Sequence, residues 1–168
     1  MFSKSLISSV VLCLGLVLQA SAHAIITPAL GITGRPAIRA DVQRPAGPTA
    51  ECGTISIPDN LDTSTPAVAD AAGIVNLTIT NFNTDVDGSR QIVEALVDTT
   101  GTGNFDQAQA ATMLLNGDFN PTDVASQPLT VQLPAGIQCA AGAAANKCLV
   151  SFITAGDFGN CVVVEQSA

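Results

Sequence analysis

Tryptophan and tyrosine are absent from this 168-residue chain, and histidine occurs once, as His23. Flat sugar-binding platforms are usually built from Trp and Tyr, which join a ring face to a polar tip, so a carbohydrate-binding module of the stacking kind is disfavoured. A single His near a chain end leaves no base for a Ser/His/Asp or Cys/His arrangement, which needs an imidazole held in a cleft by a third group. Positive charge is scarce: six Lys and Arg stand against 14 Asp and Glu, a net charge of −8. That excludes the basic patch needed for nucleic acid or an anionic lipid surface. No stretch reaches the roughly 20 apolar residues of a membrane-spanning helix. No repeat recurs at periods of about 20–50 residues.

What the N-terminus does contain is a secretory signal. Met1–Ser5 carries one positive charge, Lys4, followed by an apolar run from Leu6 to Leu18 and by Ala20-Ser21-Ala22, the small-x-small pattern read by signal peptidase. Cleavage after Ala22 divides the chain into a signal peptide, residues 1–22, and one mature domain, residues 23–168, beginning at His23. The C-terminal Val162–Ala168 has no hydrophobic tail of the lipid-anchor type. The expectation is a secreted, extracellular, soluble protein. Removing Lys4 takes the mature formal charge to −9.

Cys13 leaves with the signal, and Cys52, Cys139, Cys148 and Cys161 remain. An even number in a secreted chain reads as two disulfides. Three pairings are open; the favoured one closes a local loop with Cys139–Cys148 and ties the early chain to its last strand with Cys52–Cys161. Zinc is disfavoured, because there is no CxxC pair and the one His is terminal. Asn76-Leu77-Thr78 is an N-glycosylation acceptor, whereas Asn120-Pro121-Thr122 is spoiled by its proline.

Between Thr27 and Ala50 the chain is rich in Pro and Gly and reads as an ordered loop layer after a short edge strand at His23–Ile26. A second loop follows from Pro58 to Gly73. Val75–Thr80 and Leu129–Leu133 alternate apolar and polar residues, the signature of half-buried strands. Gln91–Asp98, Cys148–Thr154 and Asn160–Glu165 are β-branched or apolar enough to be strands, and Gln107–Leu115 is assigned as one although its Ala, Gln, Met and Leu also suit helix. Short strands with turn residues between them predict an all-β, single-domain antiparallel β-sandwich of immunoglobulin-like type, stapled by disulfides; a small barrel is the alternative.

Several stretches resemble one fungal family. They are His23-Ala24-Ile25-Ile26-Thr27-Pro28-Ala29-Leu30-Gly31, the stretch Arg39–Pro45, Glu51-Cys52-Gly53, Asp87-Gly88-Ser89-Arg90, the turn Asp98–Gly103, and the ending Ala155–Val164. Together they are similar to the Egh-sixteen-like virulence factors, secreted fungal proteins several of which relate to appressoria and host infection. The resemblance spans essentially the whole mature chain. It implies extracellular action at a cell wall or host surface, and it carries no catalytic constellation.

The candidate chemistry is at His23. A mature N-terminal His places an α-amine and an imidazole in one residue, a pair suited to Cu(II). Copper-dependent lytic polysaccharide monooxygenases use such a residue with a second His and an axial aromatic, and Phe158 is similar in position to that aromatic. This chain has no second His and no Tyr, so a carboxylate, Asp157 or Asp41, is the candidate third ligand, as in related copper-binding proteins that are not oxidases. A terminal His that packs without a ligand accounts for the same residue more simply. Asp85, Asp87 and Asp157 fall in predicted turns, where Asp is common for backbone reasons, and no pair of acids stands out for glycoside hydrolysis. Asp98–Asp106 has Asp and Gly at the first and sixth positions of a calcium loop but Gln109 at the twelfth, and a glycine-rich hairpin turn explains it better. The expected function is therefore non-catalytic extracellular binding, with copper binding at His23 as the alternative.

Overall fold

Two β-sheets face each other across an apolar core in the computed structural model, which describes residues 23–45 and 50–167. The proposed signal peptide lies outside the described residues. The strands are β1 (Ala24–Thr27), β2 (Ala67–Ala69), β3 (Ile74–Asn81), β4 (Ile92–Asp98), β5 (Gln109–Ala110), β6 (Thr112–Leu115), β7 (Ser126–Gln132), β8 (Lys147–Thr154) and β9 (Gly159–Gln166). Sheet A has the order β1-β3-β7-β6 and sheet B the order β2-β9-β8-β4-β5. The all-β reading stands. The pairing departs from a purely antiparallel sandwich at one place, where β2 runs parallel to β9.

Alternation decides which faces meet. Val75, Leu77 and Ile79 of β3 and Leu129 and Val131 of β7 point inward from sheet A. They pack on Ala95, Val97, Val150, Phe152, Val162 and Val164 from sheet B. On β3 and β7 the other face of sheet A, rich in Thr, Ser and Asn, turns toward solvent. Strands β8 and β9 are instead buried on both faces. Leu149, Cys161 and Val163 point away from the main core into a second apolar layer with Leu30, Cys52, Ile55, Ile57, Leu61 and Phe105. The loop layer after β1 thus acts as a third layer over sheet B. This is why Cys148-Leu149-Val150 and Cys161–Val164 read as continuous apolar runs rather than alternating ones.

Two disulfides fasten the layers. Cys52–Cys161 joins the loop layer to β9 across a sequence separation of 109, and Cys139–Cys148 closes a local loop with a separation of 9. The stretch predicted as one strand over Gln107–Leu115 is two. Residues 109–110 pair with β4 in sheet B, Ala111 N–H donates to Ala95 C=O, and β6 then pairs with β7 in sheet A. The chain switches sheets there and closes one side of the sandwich. The predicted Pro58–Gly73 loop also holds β2, whose Ala-Val-Ala sequence lacks a strand signature.

Buried in the second layer, Glu51 accepts a hydrogen bond of 3.0 Å from the Ser151 hydroxyl. Burial pushes its carboxyl above the usual carboxylate range; the Glu94 charge adds to this and the Ser151 hydrogen bond opposes it. The folded protein holds this proton more tightly than the unfolded chain. The resulting stability is present at acid pH and lost as pH rises through the raised value. Glu51→Gln keeps a polar partner for Ser151 and cannot ionise. Thermal melts should show it more stable than the unsubstituted protein at pH 7 and equal to it near pH 4; a gain of the same size at both pH values would contradict the assignment.

Candidate functional site

His23 stands immediately before β1, and its position is set by main-chain pairing. Ala24 pairs with Asn81, and Phe82 N–H donates to the His23 carbonyl at 2.7 Å. Three other segments converge on the same end of the sandwich: residues 39–44, the 3-10 turn Val86–Gly88, and the 155–158 turn that enters β9. Thr154 N–H donates to Phe158 C=O at 2.7 Å, which holds the last of these as a tight hairpin with Asp157 at φ 60°. Gly159 follows because a Cβ there would run into the Phe152 carbonyl.

This convergence buries the imidazole. His23 is 3 % exposed, and its ring meets the buried Phe158 ring edge-on, with centroids 4.0 Å apart and planes at 69°. Arg44 lies over the Phe158 ring, its guanidinium carbon 5.1 Å from the centroid. Among the described residues neither Nδ1 nor Nε2 of His23 has a hydrogen-bond partner. Leaving such a group unpaired in the interior costs about 1–3 kcal/mol. Native structures rarely leave a buried polar atom in this condition without a reason. Burial holds the imidazole pKa below its ordinary value; the nearby Asp87 charge opposes that shift and the Arg39 and Arg44 charges reinforce it.

The two acids proposed as partners of His23 stand on segments that reach the same end of the sandwich. Asp41 is held by Arg35 through two bonds, of 2.6 and 2.7 Å, and also accepts from Ile38 N–H, so its oxygens are already engaged. Asp157 is an exposed turn residue. The acid brought electrostatically to His23 is Asp87, in the 3-10 turn. Its sequence context, a polar turn, gave no indication of this. Phe158 does adjoin His23, as its predicted position near the end of the chain suggested. Among the described residues no group of three or more His, Cys, Asp and Glu side chains is disposed to hold a metal.

The other singled-out residues lie apart from this pocket. Asp98 is buried, and its carboxylate accepts from Thr100 N–H, the Thr100 hydroxyl and Gly103 N–H at 2.6–2.8 Å, the pattern of a carboxylate that shapes a turn. Asn76 is exposed on β3, where its carbonyl oxygen accepts from the Thr130 hydroxyl at 3.0 Å. It belongs to the outer face of sheet A, with Thr78 and Thr80 on β3, Ser126, Pro128 and Thr130 on β7, and Thr27 on β1. No side chain of this set is charged. One end of the face continues into a shallow groove walled by Pro28, Gly34 and Pro36 of the loop layer. Arg35 also borders it, but its charge is taken up by Asp41.

No family model, no curated protein and no solved structure matches this chain.

Proposed function

We propose that the chain is a secreted, non-catalytic protein that binds an extracellular surface, at a cell wall or host interface, through the outer face of sheet A. The observation that carries this reading is the absence of charge from that face in a protein whose net charge is −8. Threonine and serine hydroxyls suit a neutral, hydroxyl-rich polymer, which they meet by hydrogen bonding rather than by aromatic stacking. Such contacts are individually weak, and a polymer that presents many equivalent sites compensates by multivalency. The disulfides and the absence of a spanning helix among the described residues are compatible with secretion.

The test is retention of protein secreted from the full chain on insoluble chitin, β-glucan and hyphal walls. Retention on one of these, with little binding to short soluble oligosaccharides, is expected. Ser126→Glu/Thr130→Glu and Ser126→Lys/Thr130→Lys leave the glycosylation acceptor intact. Both should lower retention about tenfold, or 1.4 kcal/mol of binding free energy. A neutral partner responds alike to either sign of charge, because each charge must be desolvated. Uniform flow-through, or opposite responses to Glu and Lys, would sink the proposal.

A further inference from the structure

We infer that Asn76 carries an N-linked glycan whose first sugars cover Leu114 and Leu115 of β6, and that this cover keeps the open edge of sheet A from pairing with a second chain. The inference rests on the secretion proposed above and not on the binding role of the face. Two separate observations meet in it. One is the acceptor Asn76-Leu77-Thr78, which β3 displays with Asn76 and Thr78 exposed and Leu77 in the core. The hydrogen bond from the Thr130 hydroxyl goes to the Asn76 carbonyl oxygen, so Nδ2, the atom that would carry the sugar, lies outside that bond. The other is an apolar pair at an edge. Leu114 and Leu115 are 54 % and 46 % exposed and are the only exposed leucines among the described residues.

Register brings the two together. Thr130 of β7 stands opposite Asn76 on one side and opposite Leu115 on the other, so the three form one row across the outer face of sheet A. Two strand spacings, about 10 Å, separate the ends of that row, a distance that the first two sugars of an N-glycan span. Their C–H faces and acetamido methyls suit leucine, and their hydroxyls face water. The edge needs such a cover. Strand β6 ends the order of sheet A and has neither Lys nor Pro; its one blunting device is the bulge at Leu114. The opposite edge, β1, is already closed by Asn160, which bonds both main-chain groups of Ile26. The glycan also leaves room on the face. Thr27, Thr80 and Ser126 lie toward β1 and the far end of β3, where the Pro28–Pro36 groove begins.

The modification needs a lipid-linked, pyrophosphate-activated oligosaccharide, the glycosyl donor of the secretory route. Asn76 Nδ2 forms a bond to C1 of its first sugar and gives up one proton. The C1–O bond to pyrophosphate breaks, and its electron pair leaves with the lipid pyrophosphate.

The experiment uses the full chain secreted by a eukaryotic host, with glycan occupancy read by peptide mass spectrometry and self-association by sedimentation velocity. The secreted protein should carry its glycan on Asn76 and remain monomeric. Asn76→Gln and Thr78→Ala each destroy the acceptor; both should melt cooperatively yet self-associate at least about tenfold more tightly, or 1.4 kcal/mol. Adding Leu114→Lys/Leu115→Lys to Asn76→Gln should restore the monomer. These lysines reduce the net negative charge, so the rescue cannot come from greater self-repulsion. A secreted chain with bare Asn76 would overturn the inference and leave the secretion standing, whereas a chain kept inside the cell without a glycan would overturn both. Acceptor variants as monomeric as the glycosylated protein, or self-association that the lysines do not relieve, would overturn the cover over β6.

Discussion

Replacing Cys52 and Cys161 together by alanine should lower the stability of the mature protein by about 4–5 kcal/mol. The reason lies in the unfolded chain. A cross-link over a sequence separation of 109 removes a large share of the denatured ensemble's freedom, and the chain-entropy cost grows with loop length. The native state has a second reason to depend on it. Cys161 is in the middle of the pairing between β8 and β9, and Cys52 belongs to the loop layer whose Leu30 and Ile55, with Phe105 from the β4–β5 connection, cover the outer face of sheet B. Without the bond, that layer is held mainly by apolar contacts. The Cys139–Cys148 bridge, with a separation of 9, should contribute only about 3 kcal/mol when removed in the same way. Denaturant unfolding of the two double variants and the parent gives the comparison directly. Equal losses, or a larger loss for the short bridge, would show that the long bridge does not act through chain entropy.

The loop layer also marks where sequence reasoning reached its limit. The strands of sheet A were readable because one face meets the core and the other meets water: Val75–Thr80 and Leu129–Leu133 alternate, and the alternation gives the register as well as the strand. Strands β8 and β9 were readable only as apolar runs, since a run buried on both faces carries no periodicity. The three-layer arrangement could not be inferred, because the cover over sheet B consists of irregular chain. A Pro- and Gly-rich segment reads the same whether it packs on a sheet or lies in solvent. Strand β2 was missed because Ala-Val-Ala has no strand preference of its own. It forms because its neighbour β9 offers a free edge and Ala67 and Ala69 fit the core. The split of Gln107–Leu115 has a similar origin: the mixed helix and strand preferences of that segment reflect a chain that changes sheets at Ala111.

The site was legible in part. His23 drew attention as the only imidazole, at the start of the expected mature chain, and Phe158 as an aromatic near its end; the structure brings the two rings together. For Asp41 the sequence also offers a competing partner. Asp41 lies six residues from Arg35, and the bidentate pair they form is local, so the sequence held the competitor beside the candidate. Asp87 acts on His23 through its charge, and its turn is kept tight by Gly88, where a Cβ would run into the Asn83 backbone. Asn160 was read only as one residue of a strand, although its side chain connects the sheets.

That side chain carries the other large effect. Asn160 sits on β9 of sheet B, buried, and its amide spans the gap to β1 of sheet A. Its Oδ1 accepts from Ile26 N–H at 2.8 Å, and its Nδ2 donates to Ile26 C=O at 2.9 Å and to Cys161 C=O at 3.1 Å. In effect the amide stands in for a neighbouring strand along the edge of β1 that β3 does not reach. Asn160→Leu is similar in size but leaves the Ile26 N–H and C=O buried without partners. At about 1–3 kcal/mol for each, the loss should total about 3–5 kcal/mol. Asn160→Asp keeps the acceptor for Ile26 N–H and loses the donor, so its loss should be intermediate near neutral pH. Hydrogen exchange separates this from general destabilisation. In Asn160→Leu the Ile26 amide should exchange faster by more than the fall in global stability accounts for, while the amides at the β8–β9 centre follow global stability. Exchange at Ile26 that merely tracks the melting curve would show that β1 is held by its pairing with β3 alone, and the bridge between the sheets would then have to be sought in the apolar core.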